Sequence, residues 1–277
     1  MERLANSRLK VLGECTYHNA MRQADRVSER RLEMGVRIYA INLDRSVDRW
    51  DTLSRSAEDL VLPLVRVPGI DGAKTPLLER IDCDTDAFGR NNGRTILPGE
   101  YGCYRSHLKA LSIFLDTGDP TGVIVEDDIE LSADLIDRAS AAVEALPGAD
   151  VIKLFNHRIV GFRRVVISRA GDEIGRAAHG PQGSAACYIV TRKGAQRLLT
   201  ALKIMSYPWD IALERGWASG TRIYTTRQPL AAPTRDSTTI ATRSAYQASK
   251  FPWWKRLRTY GVRVIETVHR IVYARLD

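Results

Sequence analysis

The sequence predicts an α/β domain with a mainly parallel central sheet, followed by a C-terminal amphipathic helix. Three observations carry this. Short β-branched, apolar runs alternate with helix-period segments for about 190 residues, which is the pattern of layered α/β architecture. Several apolar runs end abruptly in polar or acidic clusters, as buried strands do at a sheet's carboxyl edge. The last 28 residues carry an apolar stripe at helical spacing together with a concentration of basic residues.

The elements follow in chain order. Residues 1–35 are polar and charged, with a weak helical pattern through Met21, Ala24 and Val27, and read as an extension. Met34, just before the first strand, offers an alternative start. Val36 to Leu43 reads as a buried strand. Ser46 is positioned to cap a helix running to about Leu60, with Asp48 in its first turn. Leu62 to Val67 is a second strand, and residues 73–97 read as irregular, punctuated by Gly89, Asn91, Asn92 and Gly93. Pro98-Gly99-Glu100 opens a helix whose Tyr104, His107, Leu111 and Phe114 share one face. Val123 to Val125 is a strand, and Ser132 is expected to cap the helix after it. Val151 to Phe155 is a strand, 161–176 a hairpin or loop, and Ala185 to Val190 a strand before a helix capped by Thr191. Pro208-Trp209-Asp210 begins a further helix, and Arg222 to Thr226 is a last strand. The expected organisation is therefore an extension (1–35), one catalytic domain (36–230), a linker (231–249) and a basic tail (250–277).

Composition excludes several classes. At 44% apolar and 27% charged, the chain is neither disordered nor collagenous. Cys15, Cys83, Cys103 and Cys187 are scattered without a CxxC, which argues against a disulfide framework or a structural zinc site. No apolar run spans a membrane, and the charged first ten residues lack the apolar core of a signal peptide. A cytoplasmic protein is expected. The net charge of +8 sits at the ends: residues 1–37 contribute +3 and residues 250–277 contribute +5, leaving 38–249 neutral. A neutral body argues against nucleic acid as a partner.

The acidic run Glu126-Asp127-Asp128 directly follows an apolar strand. If the chain stays extended, Glu126 and Asp128 point together and Asp127 away. Two carboxylates on one side suit Mg²⁺ or Mn²⁺ held jointly with substrate phosphates; the alternative is a solvated loop paired with arginines. Arg45 and Arg49, four apart, share a predicted helix face suited to diphosphate or uracil; the alternative is a solvated face or a salt bridge from Asp44 or Asp48. His107 reads as a core histidine or an acceptor-side group, and Cys103 as packing. Asp210 is a candidate general base, with Asp127 and Glu100 as alternatives. Trp209 reads as a platform for a sugar face or as core. Lys153, Arg192 and Lys193 could each reach phosphate but read as surface charges.

Six motifs fall in one order: Ile41-Asn42-Leu43-Asp44-Arg45 with Asp48-Arg49; Ile70-Asp71-Gly72; Pro98 to Cys103 with Ser106-His107; Val125 to Asp128; Gly194-Ala195-Gln196; and Pro208-Trp209-Asp210. Over residues 36–230 the chain resembles glycosyltransferase family 25, the lipopolysaccharide and lipooligosaccharide galactosyltransferase group. The resemblance implies a GT-A fold, a nucleotide-sugar donor (usually UDP-galactose), a divalent metal, inversion at the anomeric carbon, and a glycolipid or oligosaccharide acceptor. By it, Glu126 and Asp128 stand at the metal-binding acids, and Asn42, Asp44, Arg45 and Arg49 lie near the nucleotide. The chain departs from the family pattern with its extension, with Trp50 where another Arg is common, and with no His between Gly180 and Tyr260. A non-catalytic family member that binds a glycan or a protein is the alternative reading.

In the tail, Trp254, Leu257, Gly261, Val264, Val268 and Val272 form one stripe, with Arg256, Arg263 and Arg270 on the opposite face. Such a helix suits an anionic membrane interface, peripheral on the inner face of the cytoplasmic membrane. The alternative is a helix docked on the domain with its arginines in water.

Overall fold

The computed structural model describes residues 35–234 and 243–276. The expected N-terminal extension up to residue 34 and the middle of the expected linker lie outside the described residues.

Eight strands form one sheet: β1 (Val36–Asn42), β2 (Leu64–Pro68), β3 (Thr121–Glu126), β5 (Val151–Lys153), β6 (Val160–Ile167), β7 (Glu173–His179), β8 (Cys187–Thr191) and β9 (Ile223–Thr226). Their order is β2-β1-β3-β8-β5-β9-β7-β6. The short β4 (Ile129–Glu130) pairs with β10 (Ala232–Pro233) in a separate ladder, so the stretch expected as a linker begins with a strand.

β1 is parallel to both β2 and β3, and β5 is parallel to β9. β8 runs against β3 and β5, and β7 runs against β9 and β6. The sheet keeps one dominant direction, as the alternation predicts, but it is mixed. The two reversed strands are β7 and β8: β7 is the returning arm of the β6–β7 hairpin, where the chain turns back without the helical crossover that a parallel neighbour requires, and β8 then runs in the same direction as β7.

Strand alternation sorts the core into two halves. Ile38 and Ala40 of β1 and Val123 and Val125 of β3 face α1 (Val47–Asp59) and α4 (Leu135–Ala145). Tyr39, Ile41 and Ile124 face the other way, onto α3 (Pro98–Asp116) and α5 (Arg192–Ala201). The predicted stripe of α3 is borne out: Tyr104, His107, Leu111 and Phe114 are all buried. Burying a side chain such as Leu111 or Phe114 contributes about 1.5–3 kcal/mol.

Two local expectations change and a third holds. Residues 73–97 are not irregular throughout, because Thr85–Asn92 form α2. The Asp84 side chain accepts from Ala87 N to start it, and Gly93 at φ 69° ends it. Gly89 within it lets the Phe251 ring approach, since a Cβ there would lie 3.2 Å from that ring. Ser132 does not cap α4; its hydroxyl donates to Asp134, one residue before the helix. Thr191 does cap α5, accepting from Gly194 N at 3.1 Å.

After α6 (Trp209–Glu214) and α7 (Gly216–Ser219), the chain completes β9 and then passes α8 (Arg243–Ala248) to α9 (Leu257–Tyr273). α9 packs on β7, α2 and α7. Of the three arginines placed opposite the stripe, Arg263 is exposed, as the docked-helix alternative expects, but Arg270 departs from it. Arg270 does not face water: it is buried, reaching Glu214 Oε2 at 3.3 Å. Glu266 pairs with Arg215 through two hydrogen bonds of 2.7 and 2.9 Å. The Tyr273 hydroxyl donates to Thr221 O and accepts from Ile223 N, both at 2.7 Å. The helix docks by its polar side.

Candidate active site

After β1 the chain goes to β2 on one side and later returns to β3 on the other, so strand order reverses between β1 and β3. Such a reversal opens a crevice at the carboxyl ends of the strands. The crevice here is lined by Ile41 at the end of β1 and Leu43 just after it, Ile70 and Gly72 after β2, Cys103 on α3 and Glu126 at the end of β3.

Two glycine motifs shape its floor. A Cβ on Gly72 would lie 1.9 Å from Pro98 O, and one on Gly102 would lie 2.4 Å from Ile70 O. The Ile70-Asp71-Gly72 loop therefore packs backbone to backbone on the first turn of α3. Ser106 Oγ locks this contact, accepting from Ile70 N and donating to Gly102 O, each at 2.7 Å.

The three acids have three different environments. Asp127 and Asp128 form a turn rather than extended chain, yet Asp127 does diverge from Glu126. Asp127 faces β1 and α1, accepting from Asn42 Nδ2 at 2.8 Å and from Arg49 at 3.1 Å. Glu126 Oε1 faces α3, 3.2 Å from His107 Nε2. Because a carboxylate oxygen only accepts, Nε2 is the donor there, and Nδ1 is left to accept from the Tyr188 hydroxyl at 3.2 Å. Asp128 is pushed up to about 6 by burial first, then by the negative charges of Glu126 and Asp127.

Among the described residues, neither Glu126 nor Asp128 forms an ion pair with Lys or Arg. That surplus of negative charge, on oxygen donors alone, fits a hard divalent cation. Cys103, His107 and Glu126 also place ligand atoms within 4.8 Å of one another. However, burial and the charges of Glu126, Asp210, Glu100 and Asp128 raise the Cys103 thiol well above its usual range. A thiol is a soft ligand, and hard cations such as Mg²⁺ and Mn²⁺ prefer oxygen, so the oxygen pair is the better donor set for them. Asp210 follows Trp209, which stacks on His107, the residue that reaches Glu126, so α6 (Trp209–Glu214) starts on the same side of the fold as the cluster although Asp210 lies 82 positions after Asp128.

Asp210 sits in the first turn of α6, its carboxyl raised by burial and then by the charge of Glu214. Trp209 beside it is core and not a sugar platform: it is buried and stacks on His107, centroids 4.9 Å apart. His107 is likewise buried, but its Nε2 reaches the site. Glu100 is structural and not a base, because both its oxygens pair with buried Arg94 and it accepts from Leu97 N at the start of α3.

The expected nucleotide-side residues mostly hold one another. The Asn42 amide is consumed by Asp127, Ser46 O and Arg66. Asp44 pairs with Arg66 at 3.0 Å. Arg49 pairs with Asp127, and Arg45, which lines the crevice, pairs with Asp71 and holds that carboxyl below its usual range.

Lys153 is not a surface charge. It is fully buried at the end of β5, with Nζ 2.9 Å from Glu214 Oε1. Arg192 also turns inward, donating to Leu115 O in the last turn of α3 and to Asp119 O just beyond it. Arg66, Tyr188 and Glu214 were missed as supporting residues. A lone charge inside an apolar strand was the available signal for Arg66 and Lys153; Glu214 had none.

A larger cavity of about 730 Å³ lies at the ends of β5 and β9 beside the β6–β7 hairpin. Arg158, Arg164 and Arg227 make it cationic against a single acid, Glu173. It contains none of the acidic cluster, so size alone does not mark the reacting centre.

The family model for glycosyltransferase family 25 (LPS biosynthesis protein) matches residues 36–213, which holds every strand of the crevice, the acidic cluster and Asp210. Comparison with curated proteins gives no match. With the first four of the ordered motifs meeting around one crevice and the family match covering most of the chain, the protein belongs to glycosyltransferase family 25.

Proposed function

We propose that this glycosyltransferase is a metal-dependent, inverting enzyme of GT-A type that moves a hexose, galactose from UDP-galactose, onto a saccharide of a lipopolysaccharide or lipooligosaccharide core. The observation that carries the reading is the pair Glu126, which lines the β1–β3 crevice, and Asp128, in the turn just after it, neither of which forms an ion pair with Lys or Arg among the described residues. These two would hold Mn²⁺ or Mg²⁺, which would neutralise the charge developing on the nucleoside-diphosphate leaving group.

The chain's own residues divide the remaining work. His107 orients Glu126 through Nε2, and Trp209 and Tyr188 hold His107. Asp127 ties the first-strand motif to the cluster through Asn42 and Arg49. A carboxylate so paired is a weak base, whereas burial makes Asp210 a stronger one. Asp210 would take the proton from the acceptor hydroxyl as that oxygen attacks the anomeric carbon, opposite the departing diphosphate. Arg45 at the crevice wall would exchange Asp71 for donor phosphate. The cationic cavity would suit anionic groups on the acceptor.

The test is UDP release from a panel of UDP-sugars, with Mn²⁺ or Mg²⁺ and then with EDTA. Turnover of UDP-galactose that stops on chelation is the expected result. Turnover of a different UDP-sugar replaces the donor, turnover that survives EDTA removes the metal, and absence of any metal-dependent UDP binding overturns the reading.

A further inference from the structure

α9 turns its apolar side away from the protein. Thr259, Glu266, Arg270 and Tyr273, which make its contacts with the domain, cluster on one side. On the opposite side stand Leu257, Val264, Ile265, Val268, Val272 and Leu276, each between 50 and 64% exposed. Trp253 and Trp254, in the turn leading into the helix, are exposed to the same degree. An ordinary surface helix does the reverse, burying its apolar stripe and showing water its charges.

The charges around this stripe are of one sign. Lys255, Arg258, Arg263 and Arg275 are exposed. The one acid among described residues 250–276, Glu266, is engaged by Arg215. At 17 residues α9 is too short to span a bilayer, and no helix among the described residues is long and apolar enough to do so.

We propose that residues 253–276 form a membrane-interface platform, with the exposed stripe of α9 and the paired tryptophans in the acyl boundary of an anionic bilayer. Lys255, Arg258 and Arg275 meet the headgroups. Apolar burial combined with basic residues is what holds an amphipathic helix in an interface, and tryptophan favours that depth. Each basic residue near an anionic surface strengthens partitioning roughly fivefold. A second copy of the chain is a poor occupant, because a two-fold pairing along the stripe brings the same cations together. The proposal does not depend on the reaction, since the stripe and its charges are independent of the acidic cluster. It also explains why the polar side is the docked one: Arg270 anchors the platform to Glu214, on the same short helix as Asp210.

The test is flotation of the full chain with vesicles of phosphatidylcholine alone or mixed with phosphatidylglycerol. Wild type is expected to float with the anionic vesicles, less at high salt, and to stay down with the neutral ones. Val264→Glu with Val268→Glu should cut binding about tenfold or more, and Lys255→Glu with Arg258→Glu should cut binding and weaken its salt dependence. Unchanged thermal melting shows that these exposed substitutions leave the fold intact. Donor hydrolysis without acceptor, measured in parallel, should match wild type, so failure of this proposal and failure of the reaction reading register in separate assays. Three results overturn it: wild type that does not bind anionic vesicles, Val264→Glu/Val268→Glu protein that binds as well as wild type, or a wild-type dimer that this double variant splits.

Discussion

Glu214 and the pair Glu126 and Asp128 are acids drawn largely out of water, and the molecule treats them in opposite ways. Glu214 is fully buried, yet every partner a carboxylate can use is present. Lys153 Nζ lies at 2.9 Å, Arg270 at 3.3 Å, and the backbone N–H groups of Gln182 and Gly183 at 3.0–3.1 Å. Asp128, less deeply placed, has two neighbouring acids against the single charge of Arg49, which pairs with Asp127, and its carboxyl rises to about 6. A buried charge without a partner is costly and persists only where something else uses it. The first cluster is compensated from within, which makes it architecture. The second is left open to a ligand.

The largest effect should come from removing the open cluster. Glu126→Ala with Asp128→Ala is expected to abolish transfer while leaving thermal melting unchanged or slightly raised, because like charges are removed from one turn. Retained transfer by the folded double variant would sink the assignment of these two acids. Next in size is Asp210→Asn, expected to lower kcat about 10²–10⁴-fold. Its pH signature follows from sign. A base acts when ionised, and Asp210 is raised above the ordinary aspartate range. Wild-type kcat/KM should therefore fall as pH drops through a pKa higher than that of a free aspartate, and this limb should be missing from Asp210→Asn. An acid limb of the same midpoint in the variant would assign it to another group.

The contrast between the two clusters explains what could be read beforehand. Strands were legible because apolar runs such as Val123-Ile124-Val125 are short, β-branched and sharply ended. The acidic cluster was legible because its three members are adjacent in sequence. Lys153 and Glu214 lie 61 residues apart and become a pair only when β5 and α6 meet. Local pattern carries no trace of that meeting, so Lys153 looked like a surface charge. α2 was hidden by Gly89, Asn91 and Asn92, whose turn preference yields to the Asp84 cap and to burial of Phe88. For α9, periodicity revealed that a stripe exists. It was silent on which side would dock, because that depends on Glu214, Arg215 and Thr221 in elements far along the chain.

A third prediction tests the compensated cluster by stability instead of activity. Glu214→Gln leaves the Lys153 charge buried without its counterion, and breaking such a pair costs about 3–5 kcal/mol. Denaturant unfolding should show that loss. Lys153→Met should cost less, because Glu214 keeps Arg270 and its two backbone donors. Equal losses from the two would mean that Lys153 alone holds Glu214.

The smallest expected effect, and the one that separates docking from compensation, belongs to Arg270→Met. The substitution keeps an apolar stem beside Trp217, where the guanidinium carbon now lies 5.4 Å from the ring centroid. It removes one charged hydrogen bond from a carboxylate that retains three other donors, which argues for about 1–3 kcal/mol. Burial already holds Arg270 below the usual arginine range, so its charge is carried at a cost that methionine avoids. The loss should therefore fall at the lower end of that range. It should also be local: amide exchange should quicken along α9, where Glu266 and Tyr273 still dock, while β5 and α6 stay protected by the intact Lys153–Glu214 pair. If exchange instead quickens in β5 and α6 together with α9, Arg270 is part of the compensation of Glu214, and the tail helix and the helix bearing Asp210 open as one unit.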